Sequence, residues 1–159
     1  MHRVTLITVG TLKEPYLVSA ADEYKKRLPA FCDFREVTLS EEKIADETDT
    51  RAVGAALFRE GEKILAALPP STPLVALCVE GKELSSEEFA GTVGRLGDGS
   101  GTLAFVIGSS HGLSPAVKER AALKLSFSKM TFPHQLMRVV FLEQLYRSYT
   151  IRAGKKYHK

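Results

Sequence analysis

Cysteine is scarce, membrane-length apolar runs are missing, and the last 35 residues hold a single acid. Two cysteines, Cys32 and Cys78, fit a reducing, cytoplasmic setting, and Cys78 lies in the apolar run Leu74 to Val79, where a small buried thiol is expected. No apolar window approaches the length of a membrane span. The N-terminal run from His2 to Gly10 is too short for a signal peptide and reads as a strand ending in a turn. His2, His111, His134 and His158 lack ligand spacing and have no cysteine at the usual offsets, so no metal is expected. A Gly-x-Ser-x-Gly elbow is also missing, which disfavours covalent hydrolysis.

The shortage of acid has a counterpart. From Leu125 to Lys159 there are seven Lys or Arg (Lys129, Arg138, Arg147, Arg152, Lys155, Lys156 and Lys159) against Glu143 alone, a net of +6. The remainder carries 15 basic and 18 acidic residues, so the whole-chain value of +3 hides two regions of opposite sign. Such asymmetry points to a polyanionic partner. The segment is no disordered basic arm, because Leu136, Val139, Val140, Leu145 and Tyr149 form an apolar helical stripe.

At 159 residues with 44% hydrophobic content, the chain reads as one globular domain spanning residues 1–159. Strand-length apolar runs alternate with helix-period segments, which predicts an α/β fold, a parallel-rich sheet flanked by helices. Strands are expected at Val4 to Val9, Phe34 to Leu39, Pro73 to Val79 (mid-sheet and covered on both faces), Thr102 to Ile107, and Leu123 to Phe127. Helices are expected from Pro15 to about Leu28, from Val53 to Leu68 before Pro69-Pro70, from a Ser85/Glu88 capping box towards Leu96, from Pro115 behind a Ser114 cap, and from His134 to about Tyr149. Glycines 97, 99 and 101 should break the third helix, and acidic Ser40 to Thr50 reads as a mobile connection.

Gly108 to Gly112 follows a buried strand and precedes a helix, the place where open parallel sheets bind ligands. Glycine there either lets a backbone approach a flat ligand or merely supplies turn dihedrals; the spacing is neither a dinucleotide fingerprint nor a P-loop. Phe127, Met130 and Phe132, in a loop just before the last helix, either plug the core or wall a pocket for an apolar or aromatic ligand. Tyr146-Arg147 and Tyr157-His158-Lys159 offer stacking and phosphate contacts to nucleic acid.

Phe105 to Gly108, Gly112-Leu113-Ser114, Leu125 to Gln135, Arg138-Val139, Glu143 to Arg147 and Tyr157-His158-Lys159 together resemble the RlmH family of bacterial 23S rRNA pseudouridine N3-methyltransferases, of the SPOUT class. The resemblance extends through Val9-Gly10, Glu23-Tyr24, Arg27, Glu60-Gly61 and Gly81-Lys82. It implies an α/β domain with a C-terminal trefoil knot, a homodimer, S-adenosyl-L-methionine as methyl donor, and action on 23S rRNA in the assembled ribosome. Carried onto this sequence, the cofactor residues are Leu77, Gly108, Phe127, Ser128, Lys129, Met130, Thr131 and Phe132. The family often has a second glycine after the one matching Gly108, whereas Ser109 and Ser110 stand here. A positive φ at position 109 would make that serine costly.

The reaction so implied is in-line transfer of a methyl group to N3, with rate coming mostly from positioning. Arg147 is expected to favour the anionic base and His158 to accept the N3 proton. Arg147, Arg152, Lys155, Lys156, Tyr157 and Lys159 are expected on RNA. A ribosome-binding factor without activity and a flavodoxin-like nucleotide binder are the competing readings.

Overall fold

The computed structural model describes residues 1–159. Five parallel strands, β1 (His2–Val9), β2 (Cys32–Leu39), β3 (Leu74–Glu83), β4 (Thr102–Ile107) and β5 (Leu123–Ser126), form one sheet in the order β2-β1-β4-β3-β5. Five helices connect and cover them: α1 (Pro15–Arg27), α2 (Thr50–Ala67), α3 (Ser86–Ser100), α4 (Pro115–Arg120) and α5 (His134–Arg152). Side-chain alternation along the strands divides the core in two. Val4, Leu6, Val75, Leu103, Phe105 and Ile107 face Phe89, Val93, Phe141, Leu142 and Leu145 on α3 and α5. Ile7, Val9, Leu74, Ala76, Ala104 and Val106 face Ile64 and Val117 on α2 and α4. Burial on both faces explains the near-continuous apolar character of β1 and β4.

Local signals settle most helix starts. Ser85 Oγ accepts from Glu88 N while the Glu88 carboxylate accepts from Ser85 N, the expected capping box. Ser114 Oγ accepts from Val117 N, and Pro115 opens α4. No helix is long and apolar enough to cross a membrane.

Several expectations need correction. Glycines 97 and 99 do not break α3, which ends at Ser100 with Gly101 as its left-handed cap. Gly97 is inside the helix because the His2 ring packs on it; an added Cβ would lie 2.5 Å from His2 Cε1. The Ser40 to Thr50 connection is anchored: Asp49 caps α2, and Glu42 pairs with Arg59 and Lys63. Glu42 finds two cations on α2, a pairing that net charge could not reveal. Strand β3 lies between β4 and β5, with β4 at the centre, and its covered part is Leu74 to Ala76; Val79 is 47% exposed. Cys78 is only half-buried, while Cys32 is buried. On α5 the buried stripe is Arg138, Phe141, Leu142, Leu145, Ser148 and Tyr149, and Leu136 is exposed.

Candidate functional site

A cleft of about 610 Å³ opens at the carboxyl ends of β3, β4 and β5. Three segments build it. After Ile107, the chain turns through Gly108 to Gly112, where Gly112 N donates to Ser109 O at 2.9 Å and Gly112 takes φ +89°. Gly108 has no room for a side chain: an added Cβ would lie 2.7 Å from the Gly112 carbonyl carbon. Gly108 does not supply a turn dihedral, which comes from Gly112; its missing side chain makes room for the Gly112 carbonyl of the same loop.

The second wall comes from a register break. Leu125 of β5 pairs with Leu77 and again with Lys82 of β3, so the residues between leave the ladder. Gly81 permits this, since a Cβ there would meet the Lys124 and Leu125 backbone at 2.7 Å. Cys78, Val79 and Glu80 are thereby turned into the cleft beside Leu77, with Glu80 ion-paired to Lys118 of α4. Burial and the neighbouring Glu80 push the Cys78 thiol up, away from a reactive thiolate.

The third wall is the loop after β5. Phe127 packs edge-on against Phe89, while Met130 and Phe132 are 75% and 38% exposed, so both readings of this loop hold. Phe127 does both, packing on the core edge and lining the cleft, and Met130 and Phe132 are cleft wall. Ser128 and Thr131 line the cleft; Lys129 is exposed and points elsewhere. His134 and Met137, on the first turn of α5, complete it. Burial, with Arg138 and Lys13 nearby, holds His134 below the ordinary histidine range, against an opposing pull from Glu41. His111 lies in the loop expected to bind ligand, whereas His134, Met137, Glu80 and Lys118 were not expected here; the helical spacing of His134 and Met137 behind an apolar loop is the signal that marks the first two.

Ser109 does not adopt a positive φ, since Ser71 alone does among the non-glycine residues. Its hydroxyl is a latch rather than a cost: buried Ser109 Oγ donates to buried Glu60 Oε1 at 2.9 Å. Glu60 sits at the apolar phase of α2 between Ala56 and Ile64.

Of the remaining candidates, Arg147, Tyr157 and His158 form a second cluster that shares no residue with the cleft. Arg147 Nε donates to Glu143 Oε1 at 3.0 Å, Tyr157 OH donates to the same oxygen at 3.1 Å, and the Arg147 guanidinium lies 4.7 Å from the Tyr157 ring centre. Arg147 also donates to His158 Nδ1 at 3.2 Å; with that nitrogen accepting, His158 Nε2 carries the proton and donates to Glu87 at 2.7 Å. Burial and Glu143 push the Tyr157 phenol up to about 12. Arg152 pairs with Asp98. Lys155, Lys156 and Lys159 project to solvent. None of Arg147, Arg152, Tyr157 or His158 lines the cleft of its own chain.

Residues 2–158 match the family described as "Predicted SPOUT methyltransferase". The chain is 51% identical over 157 residues to the ribosomal RNA large subunit methyltransferase H of Clostridium novyi (strain NT), covering 98% of this chain and 99% of that protein. It is 46% identical over 158 residues to the protein of that name from Exiguobacterium sibiricum, covering 99% of each. Among solved structures, a probable methyltransferase from Bordetella pertussis Tohama I has the same fold, with a TM-score of 0.60 at 20% identity over 93% of this chain and 95% of that one.

Proposed function

The chain belongs to the SPOUT methyltransferase family, and from that membership we propose that it methylates N3 of a pseudouridine in large-subunit (23S) ribosomal RNA with S-adenosyl-L-methionine. The observation that carries the cofactor assignment is the cleft itself. Its volume of about 610 Å³ falls in the range of small-molecule sites, Gly108 has no space for a Cβ, and Met130 and Phe132 present apolar surface to it. When bound, the donor supplies a sulfonium-activated methyl group for in-line displacement. The chain's part is to position and to exclude water. Gly108 and Leu77 give close backbone approach, and the loop from Phe127 to Phe132, without Lys129, covers the apolar side.

RNA belongs to the second cluster. Lys155, Lys156 and Lys159 are the solvent-facing cations for phosphate, while Arg147 and Arg152 are committed to Glu143 and Asp98 within the chain and must exchange partners to meet RNA. His158 has both ring nitrogens engaged, and it accepts the N3 proton only after Nδ1, its unprotonated nitrogen, leaves Arg147. Because the cleft and this cluster share no residue within one chain, a homodimer that brings one copy's tail to the other's cleft supports the reaction best. The path from central β4 to edge β5, and then α5 back across α1 and α3, accommodates a trefoil-knotted C-terminus.

Calorimetry with S-adenosyl-L-methionine, followed by transfer of labelled methyl to ribosomes lacking the modification, tests the proposal. Binding and incorporation at one pseudouridine are expected. No binding would favour a ribosome-binding factor without activity, and preference for a flavin would favour a nucleotide binder.

A further inference from the structure

We infer that Glu60, which lies outside the cleft, is a positioning residue for it: from the middle of α2 it holds the Gly108 to Gly112 loop through Ser109 and so sets affinity for the methyl donor. Glu60 is 4% exposed, yet it has no Lys or Arg partner, unlike nearby Glu42, which has two. A carboxylate buried without a cation is costly unless its oxygens are hydrogen-bonded. Here each oxygen takes one bond, and from opposite sides. Glu42 N, on the connection after β2, donates to Oε2 at 2.9 Å, and Ser109 Oγ donates to Oε1 at 2.9 Å.

Ser109 is itself 5% exposed and stands between Gly108, whose backbone faces the cleft, and the turn that Gly112 N closes on Ser109 O. Rotation at Ser109 would carry Gly108 with it. The next residue on α2, Gly61, is packed so closely on Ser114 that an added Cβ would lie 3.1 Å from Ser114 Cβ. Adjacent residues of α2 therefore grip both sides of the loop, Glu60 through Ser109 and Gly61 through the cap of α4. A loop ordered before binding does not have to be ordered during it, and that difference appears in affinity rather than in turnover at saturation.

The inference rests on the reading that the cleft takes S-adenosyl-L-methionine, so its test has one arm that needs the donor and one that does not. In the first arm, Ser109→Ala is expected to raise the Kd for S-adenosyl-L-methionine about two- to ten-fold, the range for loss of one hydrogen bond, and to raise KM by more than kcat falls. Glu60→Gln is expected to stay within about two-fold of wild type, because its carbonyl oxygen can accept from Glu42 N while its amide donates to the Ser109 hydroxyl, which serves in either role.

In the second arm, amide exchange of the free protein is expected to quicken at residues 108–113 in Ser109→Ala, while the capped start of α3 keeps its wild-type rate. Wild-type Kd together with wild-type exchange in Ser109→Ala would overturn the inference. So would exchange quickened throughout the molecule, which would make the bond one of general stability. If the wild-type protein fails to bind the donor, the reading of the cleft falls, and the exchange arm still decides whether Glu60 holds the loop.

Discussion

At the scale of single residues, the cleft is decided by where side chains are missing as much as by where they stand. Gly108→Ala forces a Cβ against the Gly112 carbonyl, so the loop must shift; at least ten-fold weaker donor binding is expected by calorimetry, from about 1.4 kcal/mol or more of misfit. Histidine 134 offers a pH test. Its folded-state value is depressed by burial, so as pH falls below about 6.5 the unfolded chain takes the proton first and stability declines. Urea midpoints from pH 8 down to pH 5 should show that decline, and His134→Gln should flatten the part this residue contributes. In the sequence Glu60 stood out only as part of the Glu60-Gly61 pair in the family resemblance, and Ser109 only as a serine where the family often has glycine. Their bond joins positions 49 residues apart, which no local pattern reports.

At the scale of elements, α3 illustrates how local propensity yields to packing. Three glycines within five residues argue against a helix, each costing about 1 kcal/mol relative to alanine. The helix nevertheless runs through two of them because the His2 ring needs the space above Gly97, with His2 Nδ1 bonded to Tyr149 OH at 3.0 Å and Nε2 to Asp98 at 2.7 Å. Gly97→Ala should therefore destabilise the protein despite the better helix former, and pairing it with His2→Ala should recover part of the loss, a non-additivity readable in thermal or urea unfolding. The capping box at Ser85 was legible from sequence and behaves locally; Ser85→Ala should cost about 1 kcal/mol in the same measurement.

At the scale of the whole molecule, the basic C-terminal segment divides into internal structure and outward charge. Arg138 is buried and donates to the carbonyls of Val9 and Gly10 at 2.9 and 2.6 Å, tying α5 to the end of β1, while burial pulls its guanidinium below the ordinary arginine range. Arg147 and Arg152 are spent on acids of α5 and α3, and Lys155, Lys156 and Lys159 are left for a polyanion. Replacing Lys155 and Lys156 together with Gln should weaken binding to ribosomal RNA and flatten its salt dependence by about 0.7 to 0.9 per lost phosphate contact, with donor affinity unchanged. A slope equal to wild type would remove these lysines from the RNA face.

The sequence by itself determined the alternation of strands and helices, the caps that start α3 and α4, the end of the sheet where the cleft opens and the segregation of charge, because each depends on residues close together in the chain or on composition. Only the tertiary structure decided the strand order that centres β4, the register break that turns Cys78 to Glu80 into the cleft, the Glu60–Ser109 latch, and which basic residues remain free. Those depend on contacts between residues far apart in sequence, where packing space and a partner for every buried polar group outweigh local preference.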